Sequence, residues 1–110
     1  MTETEVYDKC TELFKLEGQL LKLSEELSEL NTEIVRYVND PVVWTEAPCG
    51  NGRTLENVIH EMVDVEIMLN QVKAYLMDNE LDVFTKIKAL KLKRVETYIN
   101  ERFRTTRTKN

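Results

Sequence analysis

Two acidic runs in this chain have the spacing of ligand sets. Residues 25 to 29 read Glu25-Glu26-Leu27-Ser28-Glu29, and residues 61 to 64 read Glu61-Met62-Val63-Asp64. On a helix, side chains three or four positions apart project from the same side. Glu26 with Glu29, and Glu61 with Asp64, therefore each make a paired-carboxylate turn. If the two turns face each other, four carboxylates converge. Such a cluster repels itself unless a hard cation sits in it, and all-oxygen ligation suits Mg2+ or Mn2+. Magnesium held by a few carboxylates is a usual way to grip a nucleoside triphosphate.

Other chemistries find less support. His60 is the one histidine and falls away from the Glu61–Asp64 flank, as a surface histidine would. No serine, cysteine and histidine arrangement favours nucleophilic catalysis, and the three glycines lie far from any phosphate-loop spacing. Cys10 and Cys49 form no metal or redox spacing. They read as free thiols of a reducing, cytoplasmic compartment. Trp44 is either a plug over the end of a bundle or a platform for a base.

The elements that must position these residues are helices. Thr2 with Glu5 fits a capping box for a first helix running to about Glu17. Gly18 is a plausible kink, and residues 19 to 38 form a second helix or a continuation. Asn39-Asp40-Pro41 stops it. Residues 39 to 53 are the one long irregular stretch. Thr54 caps a third helix to about Met77, and a last helix spans 80 to about 102, followed by a frayed polar tail over 105 to 110. The expected organisation is one all-α domain over 1 to 104.

Leu20, Leu23, Leu27, Leu30 and Ile34 share a stripe of the second helix, with Glu26 and Glu29 on its flank and Glu25 on the outer side. The third helix is apolar nearly all round: Leu55, Val58, Ile59, Met62, Val65, Leu69, Val72 and Leu76 cover one face, while Val63, Ile67 and Ala74 add a second arc. That pattern predicts subunit association. Glu66 also falls on an apolar arc, and periodicity offers no account of it. On the last helix Phe84, Ile87, Leu90 and Tyr98 define an inward face from which Lys91 and Arg94 project.

The formal net charge of −5 argues against nucleic acid as the main partner. Charge is uneven: residues 1 to 82 carry 18 acidic and 6 basic residues, residues 83 to 110 carry 2 and 9. A basic end of this kind can pack on the acidic part or meet substrate phosphates. No run reaches the roughly 18 apolar residues of a membrane span, and the acidic start does not resemble a targeting segment.

An EExxE motif followed by an ExxD motif on the next long helix resembles the MazG-like nucleotide pyrophosphohydrolases. The runs LEGQLLKLSEELSEL, ENVIHEMVDVEIMLNQ and KLKRVETYI extend the similarity over roughly residues 15 to 101. The resemblance implies a four-helix-bundle-like fold packed across a homodimer or homotetramer. It implies hydrolysis of a nucleoside triphosphate to the monophosphate and pyrophosphate with Mg2+ or Mn2+. The implied metal ligands are Glu26, Glu29, Glu61 and Asp64, with Glu25 or Glu26 orienting or deprotonating the water. Lys22, Lys91 and Arg94 match phosphate-facing basic positions, and Gln19 and Trp44 are the base-binding candidates. One departure is the 31 residues between Glu29 and Glu61, longer than most members carry. The competing expectation is a helical interaction module without catalysis, its acids salt-bridged to Lys91 or Arg94, or an inactive member of the same family.

Overall fold

The computed structural model describes residues 1–39, 52–76 and 79–108. Among them lie four helices and no strand: α1 (Glu3–Leu13), α2 (Leu16–Val38), α3 (Gly52–Lys73) and α4 (Asn79–Thr108). The all-α expectation holds. The chain divides into two compact units, Met1–Tyr75 with α1 to α3 and Leu76–Asn110 with α4. No described helix is long and apolar enough to cross a membrane.

α1 begins as its sequence dictates. Thr2 Oγ1 accepts from the Glu5 N–H at 3.2 Å, and Glu3 and Glu5 complement the positive end of the helix. The break after α1 falls at Phe14 and Lys15, both in extended backbone, and Gly18 lies inside α2. The kink expected at Gly18 is thus four residues late. A single carbonyl accounts for the shift. Cys10 O accepts from the Phe14 N–H at 2.9 Å and from Gln19 Nε2 at 3.1 Å, which ends α1 and pins the start of α2 at once.

α2 and α3 pack antiparallel. Gln71 Nε2 donates to Gln19 Oε1 at 3.2 Å, while further along Glu26 and Glu29 of α2 meet Glu61 of α3. The inward seam of α2 is Leu16, Gln19, Leu23, Glu26, Leu30, Glu33 and Tyr37, all buried or half-buried. Their alternating spacing of three and four is the heptad pattern of packed helices. The seam of α3 is Val58, Glu61, Val65, Met68 and Val72, continued by Tyr75 in the turn that follows, with Val58, Met68 and Val72 the buried apolar residues. Burying each of these is worth about 1.5–3 kcal/mol.

This register corrects the expected leucine stripe. Leu23 and Leu30 do face inward, but Leu20, Leu27 and Ile34 remain between 41% and 48% exposed. The buried amide of Gln19 sets the rotation, because its two hydrogen bonds hold it on the seam. Ile59 and Met62 of α3 are more than half exposed as well. α1 is tied to α3 by Asn70 Nδ2 donating to Tyr7 Oη at 3.4 Å and by Tyr75 Oη donating to Thr11 O at 3.1 Å. The Tyr7 hydroxyl titrates above its usual range, first through its bond to Glu3, with Glu66 adding a smaller push. Glu66 thus lies on the α1 side of α3 and is exposed there.

α3 ends at Lys73, short of the expected Met77, where Ala74 and Tyr75 close a turn. α4 is longer than expected. Its 30 residues span about 45 Å at 1.5 Å per residue, so residues 105 to 108 of the expected frayed tail are helical. Ile87, Leu90 and Tyr98, expected to face inward, are largely exposed. Unit 2 holds no second helix among the described residues to cover them.

Candidate metal centre

Glu26 and Glu29 lie one turn apart on α2, and Glu61 faces them from α3. One carboxylate oxygen of each comes within 4.8 Å of the other two. The three differ in surroundings. Glu26 sits on the seam and is only 8% exposed, Glu61 is half-buried, and Glu29 is exposed. A leucine at position 26 would continue the run from Leu23 to Leu30. A carboxylate there must be desolvated, which is costly without a partner.

Lys22 supplies part of the compensation. Its Nζ lies 3.3 Å from Glu26 Oε1 and 3.5 Å from Glu25 Oε2. The Lys22 side chain is about half exposed, so the pair is a partly solvated one of modest worth. The Lys22 pKa is raised, first by its hydrogen bond to Glu26 and then by the charge of Glu25. One lysine does not balance the set. Glu61 Oε2 is buried and has no hydrogen-bond partner among the described residues. Glu29 is pushed above the usual carboxylate range, chiefly by the charge of Glu26, with desolvation and the charges of Glu61 and Glu25 adding. A cluster with surplus negative charge and an unused buried oxygen fits a hard divalent cation held by oxygen ligands.

The other expected site residues fall in different places. Asp64 is exposed and stands outside the converged set, one turn beyond Glu61 on α3. Glu25 is on the outer side of α2, as its position in the turn requires, bridged to Lys22. Gln19 is buried on the seam at 3% exposure. Lys91 and Arg94 are exposed on α4, in the second unit. Arg94 lines a shallow cleft of about 350 Å³ on that helix with Leu90, Lys93 and Thr97. His60 is exposed, 3.9 Å from Glu56. Cys10 is a half-buried free thiol. Trp44, Cys49 and most of the 39–53 loop lie outside the described residues.

Two features escaped sequence reasoning. Glu33 continues the seam one heptad after Glu26. Its side chain is 15% exposed, Oε1 accepts from Arg36 at 3.0 Å, and Oε2 is buried with no partner among the described residues. The heptad spacing of Gln19, Glu26 and Glu33 was the available signal, masked by the more conspicuous leucines beside it. The second feature is a cleft of about 430 Å³ on unit 1 beside the acids, lined by Phe14, Lys15, Gly18, Gln19, Lys22 and Gln71 among others. The elbow residues Phe14 and Lys15 close one side of it, and the sequence places that elbow ambiguously.

Comparison with protein-family models, with curated proteins and with solved structures returned no match. The likeness to a known family therefore rests on the motifs quoted above.

Proposed function

We propose that the protein is a divalent-metal-dependent nucleoside triphosphate pyrophosphohydrolase of the MazG-like type. The observation that carries this reading is the convergence of Glu26, Glu29 and Glu61, with a buried Glu61 oxygen left unpaired. Those residues would hold Mg2+ or Mn2+, with Asp64 one turn away as the fourth ligand of the motif, and the cation would neutralise phosphate charge and acidify a bound water.

The chain's own residues supply the remaining roles. Lys22 lies beside the acids with its side chain half exposed, placed to meet a phosphate oxygen. Glu25, on the outer side of the same turn, orients the attacking water and takes its proton. The water oxygen bonds to phosphorus as the bridging P–O bond breaks, and pyrophosphate leaves with that electron pair. For Lys91 and Arg94 the proposed role is to offset charge on the pyrophosphate, on the strength of the motif and of the exposed basic character of α4. The proposed working unit is a homodimer or homotetramer. Its support is the large apolar surface left on α2, α3 and α4, of a kind that soluble monomers rarely expose.

The test is pyrophosphate release from a panel of canonical and modified nucleoside triphosphates, with Mg2+, with Mn2+ and with chelator. Release from at least one substrate that stops in chelator is the expected result. Turnover that persists in chelator overturns the metal mechanism. A second reading, a non-enzymatic helical interaction module, is favoured by the same exposed apolar faces. A plain module gains no thermal stability from Mg2+, whereas a carboxylate site does.

A further inference from the structure

The cleft beside the acids is built from parts that a metal cluster does not need. Phe14 stands in the two-residue elbow between α1 and α2 with its side chain exposed, the residue being 55% accessible. Its backbone is not loose, because the Phe14 N–H and the Gln19 amide share the Cys10 carbonyl. That carbonyl only accepts, so it settles a chain of orientations. Gln19 turns Nε2 toward Cys10 and Oε1 toward α3, and Gln71 must answer with Nε2. Gln71, lining the cleft, is left with its Oε1 acceptor and one N–H donor uncommitted among the described residues.

Gly18 completes the arrangement. It sits inside α2, where glycine costs about 1 kcal/mol of helix propensity relative to alanine. Close packing does not explain it, since a Cβ there would meet nothing within 4 Å. The empty space above Gly18 belongs to the cleft. Gly18, Lys22, Glu26 and Glu29 follow one another at helical spacing along the same flank of α2. Glu26 lies about 12 Å further along the axis, eight residues at 1.5 Å each. The cleft's volume falls within the usual range of small-molecule sites, about 300–1,000 Å³.

We infer that this cleft is the nucleoside seat of the site: a planar heterocyclic base lies against Phe14 over the open surface of Gly18, its donor–acceptor edge meets the Gln71 amide, and the sugar and phosphates run past Lys22 toward the acids. The inference rests on reading the acid cluster as the phosphate-binding end. Gln19 is a positioning residue, acting through Gln71. Gly18 is a specificity determinant because any larger side chain there projects into the seat.

The test separates base binding from hydrolysis. Full-length protein in chelator is titrated with deoxycytidine, thymidine, deoxyadenosine and deoxyguanosine, nucleosides that carry no phosphate, and followed by side-chain and backbone amide NMR. At least one should shift the Gln71 side-chain amide and the Gly18 N–H in a saturable way. Phe14→Ala should weaken that binding about 5- to 150-fold, the span that stacking a base on an aromatic ring covers. Gly18→Leu should abolish it while raising the melting temperature, since leucine is the better helix former. No shift at Gly18 or Gln71 with any of the four nucleosides overturns the inference, as does unchanged binding in both variants. Nucleoside binding without hydrolysis of any triphosphate would leave the seat standing and remove the pyrophosphohydrolase reading. Hydrolysis with an unchanged KM in Gly18→Leu would do the reverse.

Discussion

Replacing Glu26 by leucine should stabilise the protein without metal and remove its response to metal. Glu26 occupies a seam position between Leu23 and Leu30 and is 8% exposed. A leucine there buries almost its whole side chain, worth about 1.5–3 kcal/mol. The ion pair lost is to Lys22, whose side chain is half exposed, so solvent screening leaves it little to contribute. Lys22 also keeps Glu25 at 3.5 Å, so no buried cation is stranded. Removing one of three converging carboxylates further relieves the repulsion that Glu29 and Glu61 experience. The net expectation in chelator is a gain of about 1–3 kcal/mol, or about 4 °C in melting temperature per kcal/mol for a chain of this size. Magnesium at a hundred times its Kd should then stabilise the wild type by about 2.7 kcal/mol and leave Glu26→Leu nearly unmoved, so the gap narrows or reverses. Differential scanning calorimetry with chelator and with Mg2+ measures both arms. A variant that melts below the wild type in chelator would refute the reasoning, since Glu26 would then be a structural ion-pair residue. An equal Mg2+ shift in both proteins would remove Glu26 from the ligand set.

Glu61→Gln should lower pyrophosphate release by orders of magnitude at any Mg2+ concentration, whereas Asp64→Asn, exposed and outside the converged set, should raise the Mg2+ requirement with rate recovered at saturation; a steady-state Mg2+ titration of both variants distinguishes the two patterns. Because the folded-state pKa of Glu29 is raised, its protonated form favours folding, so its contribution is fully present below the unfolded carboxyl pKa and is lost as pH rises through the raised value; metal-free Glu29→Gln should therefore gain on the wild type across that window, and melting curves that stay parallel with pH would contradict the shift. Gln19→Ala should cost about 1–3 kcal/mol in urea denaturation, because Cys10 O and Gln71 Nε2 each lose a bond to the buried amide; a loss of only a few tenths would mean that water replaces it. Ile67→Glu, on the exposed second arc of α3, should dissociate the proposed oligomer, and light scattering that already shows a 12.9 kDa monomer for the wild type would remove that proposal.

Helical class, the separation of the two acidic turns and the capping of α1 by Thr2 were legible in the sequence. All three are local: a capping hydroxyl reaches three residues, and side chains three or four apart share a side whatever the helix packs against. The pairing of Glu26 with Glu29 was legible for the same reason, since the two must lie together on any helix. Which side of α2 faces inward was not. The leucines at 20, 23, 27, 30 and 34 make a plausible seam, yet the buried one is 16, 19, 23, 26, 30, 33 and 37. The choice turns on the hydrogen bond Gln19 donates to Cys10, nine residues back, and the one it accepts from Gln71, fifty-two residues on. No periodicity carries those long-range bonds. The same rotation carries Glu26 and Glu33 into the seam and leaves Leu20, Leu27 and Ile34 uncovered. The cleft at Phe14 and Gly18 likewise exists only because one carbonyl both ends α1 and anchors α2. Residue types along a helix determine which groups lie near one another in sequence, but the rotation of one helix against another is decided by polar contacts between distant residues, and that rotation selects which carboxylates meet.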